Sequence, residues 1–133
     1  MILVDTSVII DLLRKRSNEP AENFRKILTN QTPFCISSLT YHELLQGTKT
    51  DVEYSALEEY LDTLKICHLP NDNNFYKMSS KIYRDIRKQG QTIRSVVDVF
   101  IAAMAIKYDL SLLHNDKDFD VIAEYTEHLK IYR

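Results

Sequence analysis

Short runs of aliphatic and β-branched residues alternate along the chain with longer stretches in which apolar residues recur every three or four positions. The first run, Ile2-Leu3-Val4, stops on Asp5; after Thr6 and Ser7 a second pattern, Val8-Ile9-Ile10-Asp11-Leu12-Leu13, begins. This predicts a short buried strand turning into a helix, with Asp5 at the strand's carboxyl end. A helix is expected over 20–28, with Pro20 near its start and Phe24, Ile27 and Leu28 on one side. Residues 33–37 read as a second strand, and 38–45 as a helix closed near Gly47 with Glu43 in its first turns. Over 50–64, Tyr54, Leu57, Leu61 and Leu64 step at helical spacing while Glu53, Glu58, Glu59 and Asp62 take the wet side. A third strand over 65–69 precedes a long helix marked by Phe75, Met78, Ser79, Ile82 and Ile86 and stopped by Gly90. Then come a helix over 95–108, a strand over 111–114, a helix over 118–125 and a last strand over 129–132.

Strands alternating with helices imply an α/β fold: a three-layer α/β/α sandwich around a central parallel sheet of four to five strands. A chain of 133 residues is the size of one domain, expected to span residues 1–133. In an open parallel sheet, ligands bind at the carboxyl ends of the strands, which is where Asp5 falls.

Composition narrows the chemistry. With 44% hydrophobic and 27% charged residues the chain is ordinary globular protein, and no apolar run or leader suggests a membrane span or secretion, so a cytoplasmic protein is expected. Cys35 and Cys67 lie in strand-like runs and read as buried thiols. A net charge of -2 lacks the positive excess of a general nucleic-acid binder, but acids gathered at one site would leave the remaining surface net positive. With Gly47 and Gly90 the only glycines, there is no glycine-rich phosphate loop and no G-x-S-x-G turn. Chemistry must come from side chains.

Asp98 interrupts Val96-Val97-Asp98-Val99-Phe100-Ile101-Ala102-Ala103-Met104-Ala105-Ile106, a helix otherwise apolar on every face. A carboxylate there calls for a hydrogen-bond, ionic or metal partner. The structural alternative is a capping box, Ser95-x-x-Asp98; Thr40-x-x-Glu43 offers the same for Glu43, and Asn115-Asp116 is ordinary turn chemistry with Asp118 a candidate cap. Taken together, however, Asp5 and Asp116 fall at strand carboxyl ends, and Glu43 and Asp98 in first turns of helices. Carboxylates converging at one edge repel by roughly 4 kcal/mol per close pair at an effective dielectric near 20, unless a divalent cation sits among them. Oxygen-only ligands favour Mg²⁺ or Mn²⁺, and the chemistry they serve is phosphodiester hydrolysis.

The opening Leu3-Val4-Asp5-Thr6-Ser7-Val8, the segment Ser38-Leu39-Thr40-Tyr41-His42-Glu43-Leu44, the segment Asp98-Val99-Phe100-Ile101-Ala102-Ala103 and Asn115-Asp116-Lys117-Asp118-Phe119 occur in an order and spacing that resembles the PIN-domain ribonucleases, closely the VapC-type toxins of toxin-antitoxin pairs. The resemblance implies a four-acid site of Asp5, Glu43, Asp98 and Asp116, dependence on Mg²⁺ or Mn²⁺, and cleavage of single-stranded RNA. It implies dimerisation or a larger hetero-oligomer, and inhibition by a cognate antitoxin. Carried over by position, Asp5 and Asp98 are the main metal ligands, Glu43 a ligand or water-orienting group, and Asp116 a ligand of a second metal or a supporting acid. His114 stands where many relatives have Thr or Ser; His42, His68 and His128 are too scattered to form a ligand set. Thr6 or Ser7 either bonds a ligand carboxylate or caps the first helix. Arg94, and less directly the stripe Lys77, Lys81, Arg84 and Lys88, are nominated for RNA contact. The rival readings are a PIN-like module that only binds a partner protein, and a phosphatase or receiver domain with Asp5 as phosphate acceptor.

Overall fold

The strands are short, and the polar residues that end the first two, Asp5 and Ser37, cap the helices that follow. In the computed structural model, which describes residues 1–133, β1 (Ile2–Val4) runs straight into α1 (Thr6–Leu13), and Asp5 is the cap between them. α2 (Glu19–Thr29) starts from Asn18, whose side chain accepts from the Ala21 N–H, with Pro20 tolerated because it sits among the first helical residues. β2 (Phe34–Ser37) ends on Ser37, which caps α3 (Ser38–Gln46), and Thr50 caps α4 (Asp51–Leu61). β3 (Lys65–Cys67), α5 (Asn73–Lys88), α6 (Val96–Lys107), β4 (Ser111–Leu113), α7 (Lys117–Tyr125) and β5 (Lys130–Ile131) complete the chain.

All pairings are parallel and the strand order is β3-β2-β1-β4-β5. From β1 the chain builds outward through β2 and β3, then returns to lay β4 on the other side of β1. The order therefore reverses between β1 and β4, and in an open α/β sheet such a switch point opens a crevice at the strands' carboxyl ends.

Adjacent residues on the central strands face opposite layers. Leu3, Cys35 and Leu112 pack under α6 and α7 with Ile101, Ala102, Phe119 and Ile122, whereas Val4, Ile36 and Leu113 pack under α1 to α4 with Val8, Phe24, Ile27 and Leu61. The result is the three-layer α/β/α sandwich expected from the alternation of strands and helices.

Several elements differ in detail from the pattern reading. α4 is shorter than the amphipathic 50–64 pattern and buries only Leu61; Tyr54 is 41% exposed. α7 starts one residue early because Asp116, not Asp118, is its cap. Cys67 is half-buried rather than buried, with its sulfur 3.2 Å from that of Cys35, and burial together with that neighbour pushes the Cys35 thiol up to about 12. The helix ends on Lys15 (φ 56°), Gln31 (φ 54°) and Asp109 (φ 52°) enter the left-handed region without glycine; Gly90 (φ 79°) alone uses the residue that adopts it freely.

Candidate metal centre

Each acid of the switch-point crevice is delivered by a different local device. Asp5 follows β1, and its Oδ2 accepts from the Ser7 N–H at 3.0 Å and the Ser7 hydroxyl at 2.6 Å. It is 5% exposed. Burial raises its carboxyl, the two Ser7 bonds pull it down, and the nearby charges of Glu43 and Asp116 push it up again, to about 6. Capping of α1 therefore falls to Asp5 itself, while the hydroxyls of Thr6 and Ser7 both serve carboxylates: that of Thr6 donates to Glu43 Oε1 at 3.0 Å and lies 3.0 Å from Thr40 Oγ1. Glu43 is exposed and sits beyond the first turn of α3. Ser37 caps that helix by accepting from the Thr40 N–H, so Thr40 and Glu43 form no capping box.

Asp98 arrives on α6, the most apolar helix of the molecule. Ser95 caps α6 by accepting from the Val97 N–H. Asp98 sits in the first turn, half-buried, and burial raises its carboxyl, with Asp116, Asp5, Asp118 and Glu43 pushing the same way, to about 7. The partner that an acid in such a helix demands is not supplied by any basic group; its neighbours are four more acids.

Asp116 follows β4. Its Oδ1 accepts from the Asp118 N–H at 2.9 Å, and its own N–H donates to His114 Nδ1 at 3.2 Å. His114 is 8% exposed beneath Phe119, its Nε2 is 3.5 Å from Asp120 Oδ1, and burial holds its pKa below the ordinary value. Accepting at Nδ1 fixes the neutral ring with its proton on Nε2, toward Asp120. Where a hydroxyl would offer one short bond, the imidazole fills the space under α7 and still holds the Asp116 backbone.

Oxygens of Asp98, Asp116 and Asp118 all lie within 4.8 Å of one another. That triad is the arrangement in the molecule that could hold a metal ion, and it includes Asp118, which pattern reading assigns to a helix cap, and leaves out Asp5 and Glu43. Asp118 escapes the sequence because Asn-Asp-x-Asp ahead of an apolar helix is ordinary capping chemistry; that the side chain is buried, at 8% exposure, and lies beside Asp98 is decided by tertiary packing. The donor set fits a hard cation: carboxylate oxygens only, no thiol or imidazole in the triad, and in Asp98 a carboxyl raised first by burial and then by the acids around it.

A second acid, Asp11, has a different character. It is 4% exposed on α1 and accepts from Arg16 at 3.1 Å, Asn18 at 3.0 Å and Asn115 at 2.7 Å. Burial works against its charge, yet the Asn115, Asn18 and Arg16 donors outweigh it and hold the carboxyl below the usual range. Because the Asn115 N–H also donates to the Ser7 hydroxyl at 3.0 Å, Asp11 and Ser7 together tie the loop bearing Asp116 to the helix bearing Asp5. Pattern reading passes over Asp11, although an acid inside Val8–Leu13 is the same kind of signal as Asp98.

Arg94 places its guanidinium at 3.9 Å from Asp116 and 3.6 Å from Asp118. Lys77, Lys81, Arg84 and Lys88 are all exposed along α5 and form no ion pair with the acids of the site. His42, His68 and His128 are exposed and outside the cluster.

A five-acid crevice at the switch point of this parallel sheet is accompanied by a match of residues 2–125 to the PIN domain model. The chain belongs to the PIN-domain family. Its relatives include Ribonuclease VapC11 of Mycobacterium tuberculosis, 32% identical over 95% of this chain and 94% of that protein. Ribonuclease VapC1 of Methanocaldococcus jannaschii is 32% identical over 98% of this chain and 86% of its own length. Among solved structures, VapBC-1 from nontypeable Haemophilus influenzae matches with a TM-score of 0.71 and 27% identity over 99% of this chain and 97% of that one. VapBC2 from Rickettsia felis, bound to a DNA fragment from its promoter, has a TM-score of 0.74 at 22% identity, covering 99% and 98%, a likeness of fold. This PIN chain thus shares nearly its whole length with VapC ribonucleases, and none of its helices is long and apolar enough to cross a membrane.

Proposed function

We propose that this PIN-domain protein is a metal-dependent endoribonuclease, the toxin of a toxin-antitoxin pair, cleaving single-stranded regions of RNA. The observation that carries the proposal is the crowd of Asp5, Glu43, Asp98, Asp116 and Asp118 at the switch point, with two carboxyls raised to about 6 and about 7, in a chain whose relatives at 32% identity are named ribonucleases. Such a site is costly unless a divalent cation screens it, and oxygen ligands favour Mg²⁺, with Mn²⁺ able to substitute.

In this reading Asp98, Asp116 and Asp118 hold the ion and Asp5 faces it from β1. When bound, the ion supplies an acidified water as nucleophile and charge stabilisation at the phosphoryl and leaving oxygens. The chain's own residues do the rest. Ser7 keeps one oxygen of Asp5 occupied, which leaves the other free for the ion or its water. Glu43, aligned by the Thr6 hydroxyl and reachable from solvent, is placed to orient the attacking water and take its proton. Arg94, and beyond it the α5 stripe, present positive charge to the phosphates on either side. The partners are a cognate antitoxin, in keeping with the toxin-antitoxin complexes among its structural neighbours, and a second copy of the chain.

The test is incubation of single-stranded RNA with the protein and Mg²⁺, wild type beside Asp98→Asn. Metal-dependent cleavage in the wild type alone supports the reading. No cleavage in either, with a tight protein partner, would make the chain a binding module; phosphate trapped covalently on Asp5 would make it a phosphoryl-acceptor enzyme.

A further inference from the structure

Arg94 lies in the loop that delivers α6 to the acids, and it engages them at two levels. Its backbone N–H donates to Asp118 Oδ2 at 3.3 Å, and its neighbour Ile93 is buried at 4% exposure, so the loop itself is pinned. The guanidinium is held far more loosely. Its Nε is 3.6 Å from Asp118 Oδ2 and an Nη is 3.9 Å from Asp116 Oδ1, longer than direct charge-assisted hydrogen bonds, with 78% of the side chain exposed. No other basic side chain pairs with Asp5, Glu43, Asp98, Asp116 or Asp118.

The two carboxylates that Arg94 approaches are two of the three that could hold a divalent ion. A guanidinium and a divalent cation compete for the same oxygens, and the cation with the higher charge density wins once it is present. We propose that Arg94 is an exchangeable internal counter-ion: it steadies Asp116 and Asp118 in the metal-free protein, yields them when Mg²⁺ or Mn²⁺ binds, and then offers its freed guanidinium to an RNA phosphate. The inference rests on the metal-dependent reading of this site. The loop does not have to move, because the Asp118 bond to the Arg94 N–H is independent of the side chain. Arginine suits both halves of the exchange, since its planar fork matches two carboxylates in one setting and a phosphate in the other, where lysine would act only as a point charge.

The experiment follows Mn²⁺ binding, by counting free Mn²⁺ with electron paramagnetic resonance, in wild type, Arg94→Gln and Arg94→Lys. Removing the competitor in Arg94→Gln should tighten Mn²⁺ binding about threefold, the scale set by losing exposed ion pairs. Arg94→Lys should stay near wild type for Mn²⁺. In the wild type, Mg²⁺ should move the Arg94 Nε–H nuclear magnetic resonance signal to the position of a solvated arginine. With short single-stranded RNA, KM should rise several-fold in Arg94→Gln and be only partly restored in Arg94→Lys. Unchanged or weaker Mn²⁺ binding by Arg94→Gln, or an Nε–H signal indifferent to Mg²⁺, would overturn the exchange. If the wild type bound Mn²⁺ and cut RNA while either of those results held, this inference alone would fail; a wild type that neither bound Mn²⁺ nor cut RNA would take the nuclease reading with it.

Discussion

Asp11 and Asp98 are both carboxylates set into apolar stretches of helix, and the molecule treats them in opposite ways. Asp11 is surrounded by donors from Arg16, Asn18 and Asn115, which hold its carboxyl below the usual range despite burial. Asp98 is surrounded by Asp116, Asp5, Asp118 and Glu43, which add to burial and raise it to about 7. A buried acid whose partners are all inside the protein is architecture. One whose neighbours share its sign is unfinished without something from outside.

Neutralising each acid should separate the two roles. Asp98→Asn should lower RNA cleavage by about a thousandfold, the rate equivalent of ~4 kcal/mol of lost transition-state stabilisation, while raising the melting temperature of the metal-free protein. A melting temperature that falls instead would mean that Asp98 has a stabilising partner. Asp11→Asn should do the reverse to stability, losing about 2 kcal/mol by denaturant titration because a donor replaces an accepting oxygen among three donors. Mg²⁺ at about a hundred times its Kd should add ~2.7 kcal/mol to wild-type stability and much less to Asp98→Asn.

The pH dependence should also diverge. Asp5 and Asp98, raised to about 6 and about 7, contribute stability that is complete below the unfolded carboxyl value and lost as pH rises through those folded values. Asp11, with its folded value lowered, contributes stability that is present above the unfolded value and lost as pH falls through the folded one. Thermal melts of metal-free protein between about pH 5 and about pH 8 should therefore show the wild type losing stability with rising pH and Asp98→Asn losing less. Parallel curves would break the comparison.

The smallest effect concerns the turn that carries Arg16 back to Asp11. Lys15 sits at φ 56° just past α1, where the Arg16 N–H returns to the Asp11 carbonyl at 2.9 Å. Lys15→Gly should stabilise by about 0.5–1 kcal/mol, read by the same denaturant titration, because glycine adopts that backbone without a Cβ clash.

The pattern of apolar residues was enough to place all five strands, the parallel three-layer class and the apolar helix that Asp98 interrupts. Period and turn chemistry are local, and the central strands are buried on both faces, so their runs stand out without knowledge of any partner. The ends of helices were less legible because three of the left-handed residues that close them, Lys15, Gln31 and Asp109, carry no glycine signal. α4 misled for the converse reason: Tyr54, Leu57, Leu61 and Leu64 repeat at helical spacing, yet Leu57 and Leu64 pack only partly buried against the core, Tyr54 stays exposed, and only Leu61 is fully buried.

What the chain alone determined, then, was which residues are apolar, where strands stop, and that Asp98 interrupts an otherwise apolar helix. Tertiary structure decided which of those acids meet. Asp118 joins Asp98 and Asp116 because the fold brings the start of α6 beside the start of α7, and Asp5 faces them because β1 and β4 are neighbours at the reversal of strand order. Electrostatic roles depend on distances between residues far apart in the chain, so the same carboxyl is held by donors at Asp11 and crowded by other acids at Asp98 only once the sheet has brought the neighbours of each into place.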